Sequence, residues 1–183
     1  PHMMTIVITL PTPCIGEAER IAQLLQSSAD LVHIRKPDYS AEETEQLILS
    51  IPEAFRNRLV LHDHHELATT YHLHGIHLNS RNPLPLQGFT LSVSRSCHSL
   101  EEVKEWKDRC SYVSLSPIFD SISKQGYHSA FTREEILQAH ADGVIDSKVM
   151  ALGGVTFRRL EEVASMGFGG GMILGDAWHC CGK

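Results

Sequence analysis

Short branched-apolar runs alternate with helix-period segments along most of the chain. "TIVITL" (5 to 10) leads into "EAERIAQLLQSSA", "LVHIR" (31 to 35) into "SAEETEQLILSI", and "RLVLHD" (58 to 63) into "HELATTYH". "GIHL" (75 to 78) follows, then "TLSVS" (90 to 94) with "SLEEVKEWKDR", and "YVSLSP" (112 to 117) with "TREEILQAHA". "VMALGG" (149 to 154) with "TFRRLEEVASM" and "GGGMIL" (169 to 174) with "GDAWHC" complete eight strand candidates. The strand runs read as continuously apolar, the pattern of strands covered on both faces. The segments between them space apolar residues three and four apart, as at Ile21, Leu24 and Leu25, which makes one helix face. Ser99 ahead of Glu101 and Glu102, and Thr156 ahead of Leu160 and Glu161, put hydroxyls and carboxylates where the first N–H groups of a helix need acceptors.

Eight such units predict an α/β fold, a closed (β/α)8 TIM barrel. An open doubly wound sheet is the alternative, and the absence of a GxGxxG after the first strand argues against its dinucleotide-binding form. Two prolines among Asn, Ser, Arg and Leu after "GIHL" leave little room for a fourth helix, so the barrel is expected to be compact. With 183 residues, one domain spanning 3–183 is the expectation.

Barrel chemistry gathers at the C-terminal ends of the strands. Those positions carry Arg35 and Lys36, His62 and Asp63, Asn79 to Asn82, Ser94, Ser96 and His98, Ser116 to Lys124, and Gly153 and Gly154. The net charge of −6 argues against nucleic acid as partner. A basic, hydroxyl-rich rim on an acidic chain instead points to a small anionic ligand. The stretch "YVSLSPIFDSISKQGYHS" leaves its strand through hydroxyls and a lysine, and Ser121, Ser123 and Lys124 supply rotatable donors and a point charge suited to phosphate. Five cysteines without regular spacing do not read as a disulfide framework, and no basic segment followed by an apolar one points to export, so a cytoplasmic setting is expected. No apolar run approaches membrane-spanning length. Histidine is in excess, with 12 copies, several in "HDHHELATTYHLHGIHL". His62, His64 and His65 would have to converge to hold a metal, yet neighbouring strand residues face opposite ways, His74 and His77 fall in a further turn and strand, and no i, i+4 pair with an acidic partner is present.

In order, "HIRKP", "LHDHHELA", "GIHL", "SRSCHSLEEV", "YVSLSPIFDSISKQG", "MALGGV" and "GFGGGMILGDAW" resemble the thiamine phosphate synthase and TenI family from about residue 5 to 178. The resemblance implies a barrel enzyme of thiamine biosynthesis, a transferase that joins hydroxymethylpyrimidine diphosphate to a thiazole phosphate and releases pyrophosphate. It implies Mg2+ as cofactor, small-molecule phosphates as partners, no membrane association, and it is compatible with a homodimer. The diphosphate-gripping Arg falls on Arg35, and the hydroxyl and Lys contacts on Ser96, Ser121, Ser123 and Lys124. Backbone N–H groups at Gly153, Gly154 and Gly175 correspond to the thiazole phosphate site.

Departures from the family pattern stand beside these matches. "RKP" puts Lys36 directly after Arg35 and Pro37 where a Lys is expected. His62 and Asp63 stand where the synthase has Asn and Asp. Asn82 replaces the second magnesium carboxylate, offering an oxygen without charge, so Mg2+ binding is expected to be weak or substrate-dependent. Gly175 stands where a Ser is usual. The TenI branch includes a thiazole tautomerase whose catalytic His falls on His98, a residue type suited to proton transfer near neutrality. The synthase reaction is the preferred expectation, tautomerase the alternative, and a non-catalytic phosphate-binding barrel the third.

Overall fold

Eight parallel strands pair in chain order and the eighth returns to the first, closing a barrel in the computed structural model, which describes residues 2–119 and 130–179. The strands are β1 (Met4–Ile8), β2 (Leu31–Ile34), β3 (Leu59–Leu61), β4 (Gly75–Leu78), β5 (Ser92–Cys97), β6 (Tyr112–Leu115), β7 (Val149–Ala151) and β8 (Gly170–Ile173). Parallel pairing demands a crossover between strands, which helices provide on the outside. These are α1 (Glu17–Ser27), α2 (Ala41–Ser50), α3 (Glu53–Arg56), α4 (Glu66–Thr70), α5 (Leu100–Trp106), α6 (Arg133–Ala141) and α7 (Leu160–Ser165). No helix lies between β4 and β5, and β8 is followed by one 3-10 turn at Gly175–Ala177, where a helix was expected. Among the described residues no helix is long and apolar enough to cross a membrane.

Local sequence accounts for several helix starts. Ser40 and Glu43 form a reciprocal capping box on α2, and Ser99 and Thr132 accept from Glu102 N and Glu135 N to cap α5 and α6. Thr156, expected to cap its helix, makes no such side-chain bond. The acceptor comes instead from the neighbouring unit, where the Asp176 carboxylate receives the Phe157 N–H at 3.0 Å.

The strands bury two different surfaces. Outward-facing Val7, Val32, Ile34, Leu59, Leu61, Ile76, Val113, Leu115 and Ile173 join the helix faces in one large apolar layer. Inward-facing Ile6, Ile8, Leu31, Val60, Tyr112, Met150 and Met172 form a second, smaller cluster inside the barrel. The inner positions are not uniformly apolar, which corrects the reading of the strands as continuous hydrophobic runs. His33, His62, His77, Ser94 and Ser114 are all buried. For the same reason β5 runs on to Cys97 where a stop at Ser94 was expected. Val93 and Cys97 pack outward while Ser94 and Ser96 bond to His77, so polar residues here continue the strand.

Candidate active site

The C-terminal rim of the barrel holds a cavity of about 440 Å³ lined by Arg35, Asn79, Ser80, Pro83, Arg95, Ser96, His98 and Glu102. Three residues expected from the sequence, Arg35, Ser96 and His98, therefore meet around one space. They come from the ends of β2 and β5, which is how a barrel assembles a site from distant sequence. Arg35 leaves β2 through a backbone N–H bonded to Thr9 Oγ1 at 2.9 Å, which anchors its main chain while the guanidinium lines the cavity. His98 is exposed, and its Nδ1 lies 3.1 Å from Ser116 Oγ. It is not the helix cap, a role taken by Ser99. Arg95 adds a second guanidinium to the lining, and its face rests on Trp106 with Arg109 on the same ring, at 3.8 and 4.0 Å from the centroid.

Ser96 is held from below. Its Oγ is 2.7 Å from His77 Nε2, and His77 Nδ1 is 2.7 Å from Ser94 Oγ. Tyr112, paired in register with Ser94 on the neighbouring strand, sets its hydroxyl 2.6 Å from His33 Nε2. His33 Nδ1 lies 2.9 Å from His62 Nε2 on the other side of the ring. Burial, with the charges of His77 and His74 behind it, holds His33 well below the usual imidazole range. Burial does the same to His62, aided by His77, His33, Arg35 and Arg81, and brings His77 down to about 3. The three rings are therefore neutral at pH 7. A neutral imidazole has one N–H and one bare nitrogen, so each passes a hydrogen bond along in one of two directions.

Strand alternation already argued against a convergence of His62, His64 and His65, and the geometry agrees. His62, His64 and His65 do not converge, since His64 reaches Tyr39 O and His65 reaches the His62 carbonyl. The convergence is across strands, bringing together His33, His62 and His77, whose ring nitrogens lie within 4.8 Å of one another and can hold a divalent metal ion. Nitrogen donors of this kind suit a transition metal; Mg2+ takes oxygen. His62 is accordingly part of a buried lattice and not of the cavity lining. The signal for it lay in "LVHI", "GIHL" and "SVS", where His33, His77 and Ser94 are buried polar residues beside outward-facing apolar ones.

Asp63 sits just beyond β3, with its carboxylate already engaged. Arg81 donates from Nε to Oδ1 at 2.9 Å and from Nη2 to Oδ2 at 3.1 Å, and Asn82 Nδ2 donates to Oδ1 at 3.0 Å. Asn82 Nδ2 also donates to the His62 carbonyl at 3.0 Å, so both its partners are acceptors and the amide nitrogen is the atom facing Asp63. The expectation that Asn82 turns an oxygen toward a metal beside Asp63 is corrected by this geometry. Asn79 shapes the loop, accepting from Arg81 N and Asn82 N through its side-chain oxygen.

Lys36 is also corrected. Its ammonium is buried, 2.7 Å from Glu17 Oε2 and 2.6 Å from the Thr12 carbonyl, tying the β2 loop to the start of α1 away from the cavity. As the residue after Arg35 it points the other way, as alternation requires. Burial raises the Glu17 carboxyl above its usual range, with the hydrogen bond and charge of Lys36 pulling against it. Gly153 and Gly154 follow β7 with φ of 104° and 66°. At Gly153 a Cβ would stand 2.9 Å from Pro117 Cα, so close passage of the β6 exit, with Phe119 N bonded to Gly153 O, already requires glycine there. Gly175 opens the 3-10 turn after β8 and is exposed. Ser121, Ser123 and Lys124 lie outside the described residues. A larger cavity of about 550 Å³ between the β1 loop and α2 is lined by Glu17, Glu19, Glu42 and Glu43 among others, a charge that repels phosphate.

A parallel barrel whose C-terminal rim sets two arginines, two serines and a histidine around one cavity defines a class, the (β/α)8 enzymes that handle small phosphorylated substrates. The profile of the thiamine monophosphate synthase (TMP-TENI) family matches residues 5–174, and the chain belongs to that family. It is 42% identical to a thiamine phosphate pyrophosphorylase from Bacteroides thetaiotaomicron, whose crystal structure superposes with a TM-score of 0.86 over 95% of this chain and 84% of that one. The thiamine-phosphate synthase of Photorhabdus laumondii is 26% identical over 168 residues, 86% of this chain and 76% of the relative. A thiamine phosphate pyrophosphorylase from Pyrococcus furiosus, 19% identical with a TM-score of 0.74 over 94% of this chain and 85% of its own, shares the fold.

Proposed function

We propose that this barrel is a thiamine-phosphate-synthase-like transferase in which Arg35 and Ser96 hold the diphosphate that leaves. In this reaction the carbon–oxygen bond between the pyrimidine methylene and the diphosphate breaks, and the electron pair departs with the diphosphate oxygen. The thiazole nitrogen lone pair then forms the new carbon–nitrogen bond to that methylene. The protein's task is to stabilise charge on the leaving group and exclude water, which positioned cations and donors do without a covalent nucleophile. The observation that carries this reading is the convergence of Arg35 and Ser96 on one rim cavity in a chain of this family.

The hydrogen-bond chain supports the role of Ser96. A dianionic phosphate only accepts, so Ser96 must donate to it and accept from His77 Nε2–H, which leaves His77 Nδ1 to accept from Ser94 Oγ. Ser121, Ser123 and Lys124 extend the grip, and the N–H groups of Gly153, Gly154 and Gly175 receive the thiazole phosphate. Partners are small phosphates and not nucleic acid or membrane, and the setting we assign is the cytoplasm, with a homodimer compatible. Mg2+ is the cofactor the resemblance implies. The donors at Asp63 do not fit it, because Arg81 covers both carboxylate oxygens and Asn82 presents N–H.

Tautomerase chemistry is the second reading, favoured by His98: it is exposed on the cavity, with Nε2 unpartnered among the described residues. The test offers the purified protein both reactions. Pyrophosphate release from the pyrimidine diphosphate and thiazole phosphate is expected, with Arg35→Ala lowering kcat/KM by roughly a hundredfold as a transition-state charge contact is removed, and His98→Asn costing little. Turnover of only the non-aromatic thiazole carboxylate phosphate, abolished by His98→Asn, would replace the synthase reading. Tight thiazole phosphate binding with neither turnover would favour a non-catalytic barrel.

A further inference from the structure

The loop after β4 places a guanidinium on the carboxylate from which a metal-dependent barrel would coordinate its ion. We propose that Arg81 is the resident cation of this site, so that the chain recognises a diphosphate through Arg81 and Arg35 with little need of Mg2+. The inference rests on the synthase reading for the identity of the anion. The geometry supplies the rest. Arg81 and Asp63 meet edge to edge through two bonds of 2.9 and 3.1 Å, the forked arrangement that makes Arg–carboxylate pairs strong and directional.

An Arg has five N–H donors and this pairing uses two, so three remain on the outer edge of Arg81, with no partner among the described residues. That edge is a second fork, able to donate to phosphate oxygens while Asp63 keeps the plane in place. Arg81 is one-third exposed and Asp63 less so, which leaves the guanidinium toward solvent and the carboxylate behind it. Ser80 and Asn79, its neighbours in the loop, line the same cavity as Arg35.

A divalent ion approaching Asp63 meets three obstacles. It must displace the bidentate Arg81, come to rest beside a positive charge, and find a second ligand where Asn82 directs N–H and not oxygen. Mg2+ relies on carboxylates and gives up its waters reluctantly, so a single neutralised carboxylate is a poor anchor. Removing Arg81 should reverse this: Asp63 becomes an unpaired carboxylate at the rim, and a divalent ion becomes the natural way to bring an anion to it.

The experiment compares wild type with Arg81→Ser, and with Arg81→Gln as a second variant should the first fold poorly. Mn2+ binding at Asp63 is followed by electron paramagnetic resonance, with nitrogen couplings used to set apart any ion at His33, His62 and His77, and pyrophosphate binding by calorimetry in EDTA and in Mg2+. The wild type is expected to bind Mn2+ weakly and to hold pyrophosphate within about twofold in the two buffers. The variant should gain about tenfold in Mn2+ affinity as like-charge repulsion is lifted, and should bind pyrophosphate well only in Mg2+. Wild-type Mn2+ binding as tight as the variant's, or pyrophosphate binding by the wild type that collapses in EDTA, overturns the proposal. If neither protein binds pyrophosphate in either buffer, the diphosphate reading of the rim fails, and with it the role of Arg81 as its grip, while the Mn2+ comparison still decides whether Arg81 displaces a metal.

Discussion

The two sides of the barrel interior are built from opposite chemistry. Toward β7, β8 and β1 the inward residues are Met150, Met172, Ile6 and Ile8, filled by dispersion and held by nothing directional. Toward β2 to β6 the corresponding layer is His33, His62, His77, Ser94 and Tyr112, in which every ring is oriented by a hydrogen bond. His62 and His77 stack at 4.4 Å between centroids, and His33 meets both edge-on. The polar side is the one beneath Ser96 and beside Asp63. An apolar filler tolerates small shifts of its neighbours, whereas hydrogen-bonded rings hold theirs in place, and that is the side on which a substrate contact must be placed accurately.

The contrast can be broken first by acid. The three histidines have folded values depressed below the unfolded 6.5, so their contribution is complete above that pH and is lost as pH falls from there toward about 3 for His77. Each group contributes about 1.4 kcal/mol per pH unit, so about pH 5.5 should cost roughly 4 kcal/mol relative to pH 7.5 if the three act independently. Urea midpoints at the two pH values measure it, and equal midpoints would mean the rings are not held neutral. The apolar side should respond differently. Met150→Ala, which opens a cavity, is expected to cost about 2–5 kcal/mol by the same urea titration, with the same value at both pH values. A pH-dependent cost would show that the two sides are coupled. The smallest effect should come from Tyr112→Phe, which removes the hydroxyl from His33 Nε2 and leaves a buried nitrogen unpaired, at about 1–3 kcal/mol. Thermal unfolding that matches wild type would remove Tyr112 from the lattice.

Much of the rim was readable from the chain. Arg35 falls directly after an apolar strand run and Ser96 and His98 at the end of β5, and closing the barrel was enough to bring them to one cavity. The polar lining was not, because each strand contributes only one or two inward positions. His33 alone in "LVHIR" looks like an irregularity, and its partners lie 29 and 79 residues away.

The strand and helix periodicity of this sequence determined the βα order, the compact unit after β4 and the family, since these depend on local patterning and on motifs read in sequence. The tertiary structure alone decided what each rim charge faces. Lys36 and Arg81 look alike as cations beside strand ends, yet one is buried against Glu17 and the other lies on Asp63 at the solvent edge. The reason is physical: a charge settles where an opposite charge and its hydrogen bonds offset the loss of water, and which carboxylate is within reach depends on how distant strand ends are brought together.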